Sequence, residues 1–199
     1  MIKKIFIAST NKGKILEIKE LIKSSKLSGI FTETLEDNFL KEPDEPYDSF
    51  LENAKHKALY YGDYTNIPTI CDDSGLCIEA LNDFPGVKTK DFSEKCGGFN
   101  NAFLELEKLL ANQGNTKAYF QTAIALYFPE TKDFIVSESR SYGHISFPAK
   151  GTEGFGFDPI FIPNGFQKSL AELGLEIKNQ TSHRSKAIKK LLTEVEKIL

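Results

Sequence analysis

Apolar residues recur along this chain with two periods, and the change from one to the other marks out its elements. Ile5, Phe6, Ile7 and Ala8 form a short apolar run bounded by polar residues, which predicts a buried strand. Ser9, Thr10 and Asn11 follow with N-cap chemistry, and Ile15, Ile18 and Ile22 then fall on one helical face. A second helix is predicted from Phe50, Ala54, Ala58 and Tyr61, after an acidic loop with two prolines over 36–49. Residues 67–71 and 76–81 read as two strands joined by a turn at Asp72, Asp73, Ser74 and Gly75. The spacing of Phe103, Leu106 and Leu110 predicts a helix over 101–110. Two β-rich runs, 118–128 and 134–147, flank a polar segment at 129–133 and read as a long hairpin. A glycine-rich stretch over 151–158 enters the apolar run Ile160, Phe161, Ile162. Ile188, Leu191, Leu192, Val195 and Leu199 make one stripe of a C-terminal helix. With no repeat, low-complexity segment or linker, the order points to a single mixed α/β domain.

Composition narrows the class. With 199 residues, 40% hydrophobic and 27% charged, the chain can bury a sizeable core. Sixteen Phe against one Met and no Trp suggest a core of Phe, Leu and Ile. Lys and Arg number 25 and Asp and Glu 28, a net charge of −3, which speaks against holding a nucleic-acid polymer by bulk charge. No apolar run approaches the ~18 residues of a membrane span, and the lysine-flanked start is too short in apolar residues for a signal peptide. Cys71, Cys77 and Cys96 give neither a disulfide framework nor zinc-ligand spacing, so a reducing, cytoplasmic setting is expected.

Four segments carry candidate chemistry. Ser9, Thr10, Asn11, Lys12, Gly13 and Lys14 link a strand to a helix N-terminus, where free N–H groups and two lysines suit an anion; a capped helix with solvated lysines is the alternative. The spacing is not that of a Walker A loop, because Ala8 stands where the first Gly belongs and Ile15 follows Lys14. Asp72 and Asp73 in a glycine turn could bind Mg²⁺ or activate a water, or could be an Asx turn. The acidic loop at Glu42, Asp44, Glu45 and Asp48 could add a metal ligand or be solvated surface. Gly154 to Asp158 departs from the dinucleotide fingerprint and would let Phe155 or Phe157 stack on a base, or else be a strained loop with core phenylalanines. His183 and Arg184 offer donors to carbonyl or phosphate oxygens, or a polar surface before the last helix. A Ser182–His183–Asp72 triad lacks a nucleophile elbow and is set aside.

The combination and order of these segments resemble the inosine triphosphate pyrophosphatase family over nearly the whole chain. The residues that carry it are Ser9-Thr10-Asn11-x-x-Lys14-x-x-Glu17, and Ser49-Phe50-x-Glu52-Asn53-Ala54-x-x-Lys57-Ala58. Asp72-Asp73-Ser74-Gly75-Leu76 with Pro85-Gly86-Val87 follows, and then Gly154 to Phe161 with Ser182-His183-Arg184-x-Lys186-Ala187. The resemblance implies one elongated mixed-sheet α/β domain over 1–199, with flanking helices and a substrate cleft between two lobes. It further implies hydrolysis of ITP, dITP or XTP to the monophosphate and pyrophosphate, Mg²⁺ as cofactor, and a homodimer. A Maf-like pyrophosphatase acting on pyrimidine or modified nucleotides, or a non-catalytic nucleotide-binding protein, are the alternatives.

On the same resemblance Asp73 is the general base and a Mg²⁺ ligand, Glu45 the other acidic metal position, and Asp72 a supporting carboxylate. The loop from Ser9 to Lys14 would hold phosphate oxygens. Ser74, Phe155, Gly156, Phe157, Asp158, Lys178, His183 and Arg184 would contact the substrate, with Arg184 or a backbone N–H rewarding a 6-oxo purine. The chain departs from the family pattern at Thr10, where Gly is commoner, at Phe157, where Tyr is usual, and over 88–92. Those departures place contacts from the loop backbone, a ring hydroxyl and the 88–92 segment in question.

Overall fold

The computed structural model describes residues 3–35 and 41–198. Residues 36–40 of the acidic loop predicted over 36–49, and the stripe residue Leu199, lie outside the described residues. Among the described residues seven strands belong to one mixed sheet: β1 (Lys4–Ile7), β2 (Phe31–Thr34), β3 (Thr69–Ile78), β4 (Phe84–Pro85), β5 (Lys117–Phe128), β6 (Asp133–Ile145) and β7 (Phe161–Pro163). Their order is β2-β1-β3-β5-β6-β7, with β4 on β3. β1 runs parallel to β2 and to β3, with Ile7 opposite Ile70, whereas β4 and β7 pair antiparallel to β3 and β6. The helices are α1 (Lys12–Lys23), α2 (Phe50–Thr65), α3 (Thr89–Lys95), α4 (Phe99–Leu110), α5 (Leu170–Thr181) and α6 (His183–Ile198).

The chain divides into two compact units, 1–73 with 122–139 and 184–199, and 74–121 with 140–183. In the first, Ile5, Ile7, Ile70, Ile124 and Leu126 form one face of the strands, covered by the isoleucines of α1 and the Ile188, Leu191 and Val195 stripe of α6. The alternate strand residue Phe6 turns the other way and meets Tyr61 of α2, with ring centroids 6.2 Å apart. So α1 and α6 lie over one face and α2 over the other. In the second unit Leu76, Ile78, Ala118 and Phe120 pack with Ala102, Phe103 and Leu106 of α4.

The expected turn at 72–75 is replaced by one unbroken strand. β3 passes straight through Asp72, Asp73, Ser74 and Gly75, and 79–81 forms a single 3-10 turn. Asp, Ser and Gly favour turns in water, where their side chains compete for backbone hydrogen bonds. Here both carboxylates are buried against cations, which removes that competition. Gly75 serves close approach: a methyl group there would overlap the Gly86 carbonyl oxygen.

Candidate active site

Adjacent residues of a strand point to opposite faces, and β3 uses this to place two charge networks in the first unit. Asp72 faces α1 and α6. Its Oδ2 lies 3.0 Å from Lys14 Nζ and 3.2 Å from Arg184 Nε, and the Arg184 Nη1 donates to Glu17 at 2.7 Å. Arg184 is only 2% exposed, and burial pulls its guanidinium's affinity for the proton down while Asp72 and Glu17 raise it further. Lys14 is held at the start of α1, where the Asn11 side chain accepts from its N–H at 3.1 Å. Ser9 Oγ accepts from Asn11 N, while Thr10 and Lys12 are exposed and Gly13 half-buried.

Asp73 faces α2. Its Oδ2 accepts from Asn53 Nδ2 at 3.1 Å, its Oδ1 lies 3.7 Å from Lys57 Nζ, and Lys57 also pairs with Glu45. Burial pushes the Asp73 carboxyl up to about 6; the Glu45 charge adds to the rise, and Lys57, Lys14 and the Asn53 amide oppose it. For Lys57, desolvation favours loss of the proton but is outweighed by Asp73 and Glu45, which hold it as ammonium. Glu45 and Asp73 therefore converge on Lys57. That arrangement suits a hard cation, since Mg²⁺ is bound through one or two carboxylates and completes its shell with water and phosphate oxygens. Among the described residues no group of three or more His, Cys, Asp or Glu could hold a metal.

In the second unit Asp158 and Lys178 form a buried pair at 2.6 Å, and the Asp158 Oδ2 also accepts from Phe155 N at 2.8 Å. The Lys178 ammonium lies 3.6 Å from the centre of the half-buried Phe155 ring. Gly154 has φ +81, and a side chain there would overlap the Asp158 carboxylate, so glycine is needed for the loop to close on this pair. His183 stacks on Phe120 with centroids 4.9 Å apart. Ser74 and Gly156 are half-buried.

The expectation that Phe157 offers a stacking face for a base is corrected. The ring is 1% exposed and packs against Phe92, Phe99 and Phe103, so its faces belong to the core. An all-carbon ring fits this enclosure because it leaves no buried hydroxyl in need of a partner.

A sequence model of the Ham1 family matches residues 5–194. The chain belongs to the Ham1 family. A dITP/XTP pyrophosphatase of Zymomonas mobilis is 36% identical over 194 residues, covering 95% of this chain and 90% of that protein. One of Aquifex aeolicus is 38% identical, covering 95% of both. The Ham1 protein of Staphylococcus aureus superposes with a TM-score of 0.87 at 30% identity, over 99% of this chain and all of the other.

Three Ham1 residues stand in these networks without having been picked out as functional: Glu17, Asn53 and Lys57. On α2 the signal was present. Asn53 and Lys57 share the stripe of Phe50, Ala54, Ala58 and Tyr61, so two polar side chains sit on a buried face.

Proposed function

We propose that this Ham1 chain hydrolyses non-standard purine nucleoside triphosphates (dITP, ITP and XTP) to the monophosphate and pyrophosphate, acting as a single pyrophosphatase domain over 1–199. The observation that carries the reading is the Asp73 group. A buried carboxyl near pH 6 beside a second carboxylate and a lysine has the proton affinity of a general base at neutral pH. The printed names of the relatives supply the substrate class.

Asp73 takes the proton of the attacking water as its oxygen bonds to the α-phosphorus and the bond to the β-phosphate bridging oxygen breaks. Lys14 and the N–H groups of the loop from Ser9 to Lys14 bind phosphate oxygens. Asp72 and Glu17 hold Arg184 in place, and Asp72 orients Lys14. Glu45 and Asp73 would hold Mg²⁺, which when bound neutralises charge on the phosphates. Phe155, Lys178 and His183 are assigned to the base and sugar, with Ser74, Gly156, Asp158 and Arg184 as further contact or supporting residues. A donor to the 6-oxo group favours hypoxanthine and xanthine, because adenine leaves it unpaired at a cost of about 1–3 kcal/mol. Three free cysteines, Cys71 and Cys77 buried, support a cytoplasmic setting. Leu59, Tyr60 and Tyr64, exposed along α2, support a homodimer.

The test is pyrophosphate release with Mg²⁺ across dITP, ITP, XTP, GTP, ATP and the pyrimidine triphosphates. Preferred turnover of dITP, ITP and XTP is expected. Release of orthophosphate alone, equal rates on all purines, or a preference for pyrimidines overturns the reading.

A further inference from the structure

The described part of the acidic loop, residues 41–48, has no helix or strand hydrogen bonds to fix its course. What holds it is a row of side chains on α2. Lys57 reaches Glu45, the His56 ring meets the Tyr47 ring edge-on at 5.7 Å, and Asn53 bonds the Tyr47 backbone twice. Asn53 Oδ1 accepts from Tyr47 N at 3.0 Å, and Asn53 Nδ2 donates to Tyr47 O at 3.0 Å. The second hydrogen of Nδ2 goes to Asp73 Oδ2 at 3.1 Å. These bonds use one acceptor and both donors of the amide, and a flipped amide would set donor against donor and acceptor against acceptor. Asn53 is buried at 1% exposure on the apolar face of α2, where Asn is a poor helix former compared with Ala. Its place there follows from the bonds it makes and from nothing in helix propensity.

We propose that Asn53 is a positioning residue for the candidate metal site: one carboxamide ties the loop that carries Glu45 to the carboxylate of Asp73, and so sets the distance between the two cation ligands. This rests on the reading of Glu45 and Asp73 as metal ligands. The side-chain requirements are narrow. Asp at 53 cannot donate to Asp73, Leu makes none of the three bonds, and Gln carries the amide one methylene too far. Tyr47 is two residues from Glu45, so loss of its two backbone bonds frees the carboxylate directly.

The full chain is used throughout, as wild type, Asn53→Leu, Asn53→Asp and Tyr47→Pro. The last removes the N–H that Asn53 accepts from, together with the ring that meets His56, and changes no residue of α2, so it stands in if Asn53→Leu does not fold. Two readouts do not depend on turnover: binding of Mn²⁺ alone, followed by its electron paramagnetic resonance signal, and hydrogen exchange over 41–49. The expected result is faster exchange confined to 41–49 and Mn²⁺ binding weakened about tenfold or more in all three variants, as for other outer-shell metal partners. Asn53→Asp is decisive, since added negative charge alone would tighten the cation. In turnover the Mg²⁺ concentration for half-activation rises, while kcat at saturating Mg²⁺ falls much less. Wild-type Mn²⁺ affinity in Asn53→Leu or Tyr47→Pro, tighter binding in Asn53→Asp, or exchange rising evenly across α2 overturns the proposal. If the wild type itself binds no Mn²⁺ and releases no pyrophosphate, the metal-site reading fails instead.

Discussion

In the second unit the Asp158 carboxylate lies 2.6 Å from Lys178 and also takes the Phe155 N–H, with Gly154 folded against it. In the first, the Asp73 carboxylate stands 3.7 Å from Lys57, and that lysine is shared with Glu45. Both aspartates are buried, at 2% and 4% exposure, yet their circumstances differ. One carboxylate meets one ammonium at contact distance and fastens a loop. The other shares Lys57 with a second carboxylate, and burial, with Glu45 adding to it, raises its proton affinity to about 6. The same pair of residue types is thus in direct contact in one place and shared with a second carboxylate in the other. Two carboxylates gathered at one lysine are hard oxygen donors of the kind a magnesium–nucleotide complex would take.

The difference can be broken by substitution. Asp73→Asn is expected to lower pyrophosphate release by about 10²–10⁴-fold, the range for loss of a general base. Nucleotide binding should survive, and turnover near the wild-type rate would move the base elsewhere. Next, Lys178→Met strands the Asp158 charge in the interior and should cost about 3–5 kcal/mol of stability in urea unfolding. Lys57→Met should cost clearly less, because burial already raises the Asp73 carboxyl to about 6 and Glu45 is half-buried. Equal losses would erase the distinction between the pairs. In the double variant Asp158→Asn with Lys178→Met, part of the stability should return.

The smallest effect is in pH dependence. The Asp73 carboxyl is raised from 3.8 to about 6 in the folded protein, which therefore binds that proton more tightly than the unfolded chain. Its contribution to stability is fully present below about pH 4 and is lost as pH rises through 6. Without divalent metal, the stability of wild type relative to Asp73→Asn should thus fall between pH 4 and pH 6. A flat difference would mean that the carboxyl titrates normally.

Much of the fold was legible because it rests on long, regular patterns. The α1, α2, α4 and α6 stripes and the β5–β6 hairpin stand where periodicity puts them. The α5 helix escaped because Gly174, with φ 81, breaks its period in the middle, and β2 because Thr32, Glu33 and Thr34 are polar and its one apolar residue, Phe31, is exposed. The merged β3 was misread since Asp-Asp-Ser-Gly is turn chemistry in water, and the cations that allow its burial come from residues 14, 57 and 184. No local pattern shows a partner more than a hundred residues away. The candidate residues were legible one by one, whereas their division into an Asp72 network and an Asp73 network required the strand.

That strand makes the wiring a matter of counting. Two neighbours on a pleated ribbon serve opposite faces, so Asp72 answers to α1 and α6 and Asp73 to α2. Adding or removing one residue between Ile70 and Asp72 would exchange their addresses. The carboxylate paired with Arg184 would then face Lys57, and the proposed base would face Arg184. Parity from Ile70 to Asp73 is therefore a hidden constraint on this chain, one that an insertion there would violate.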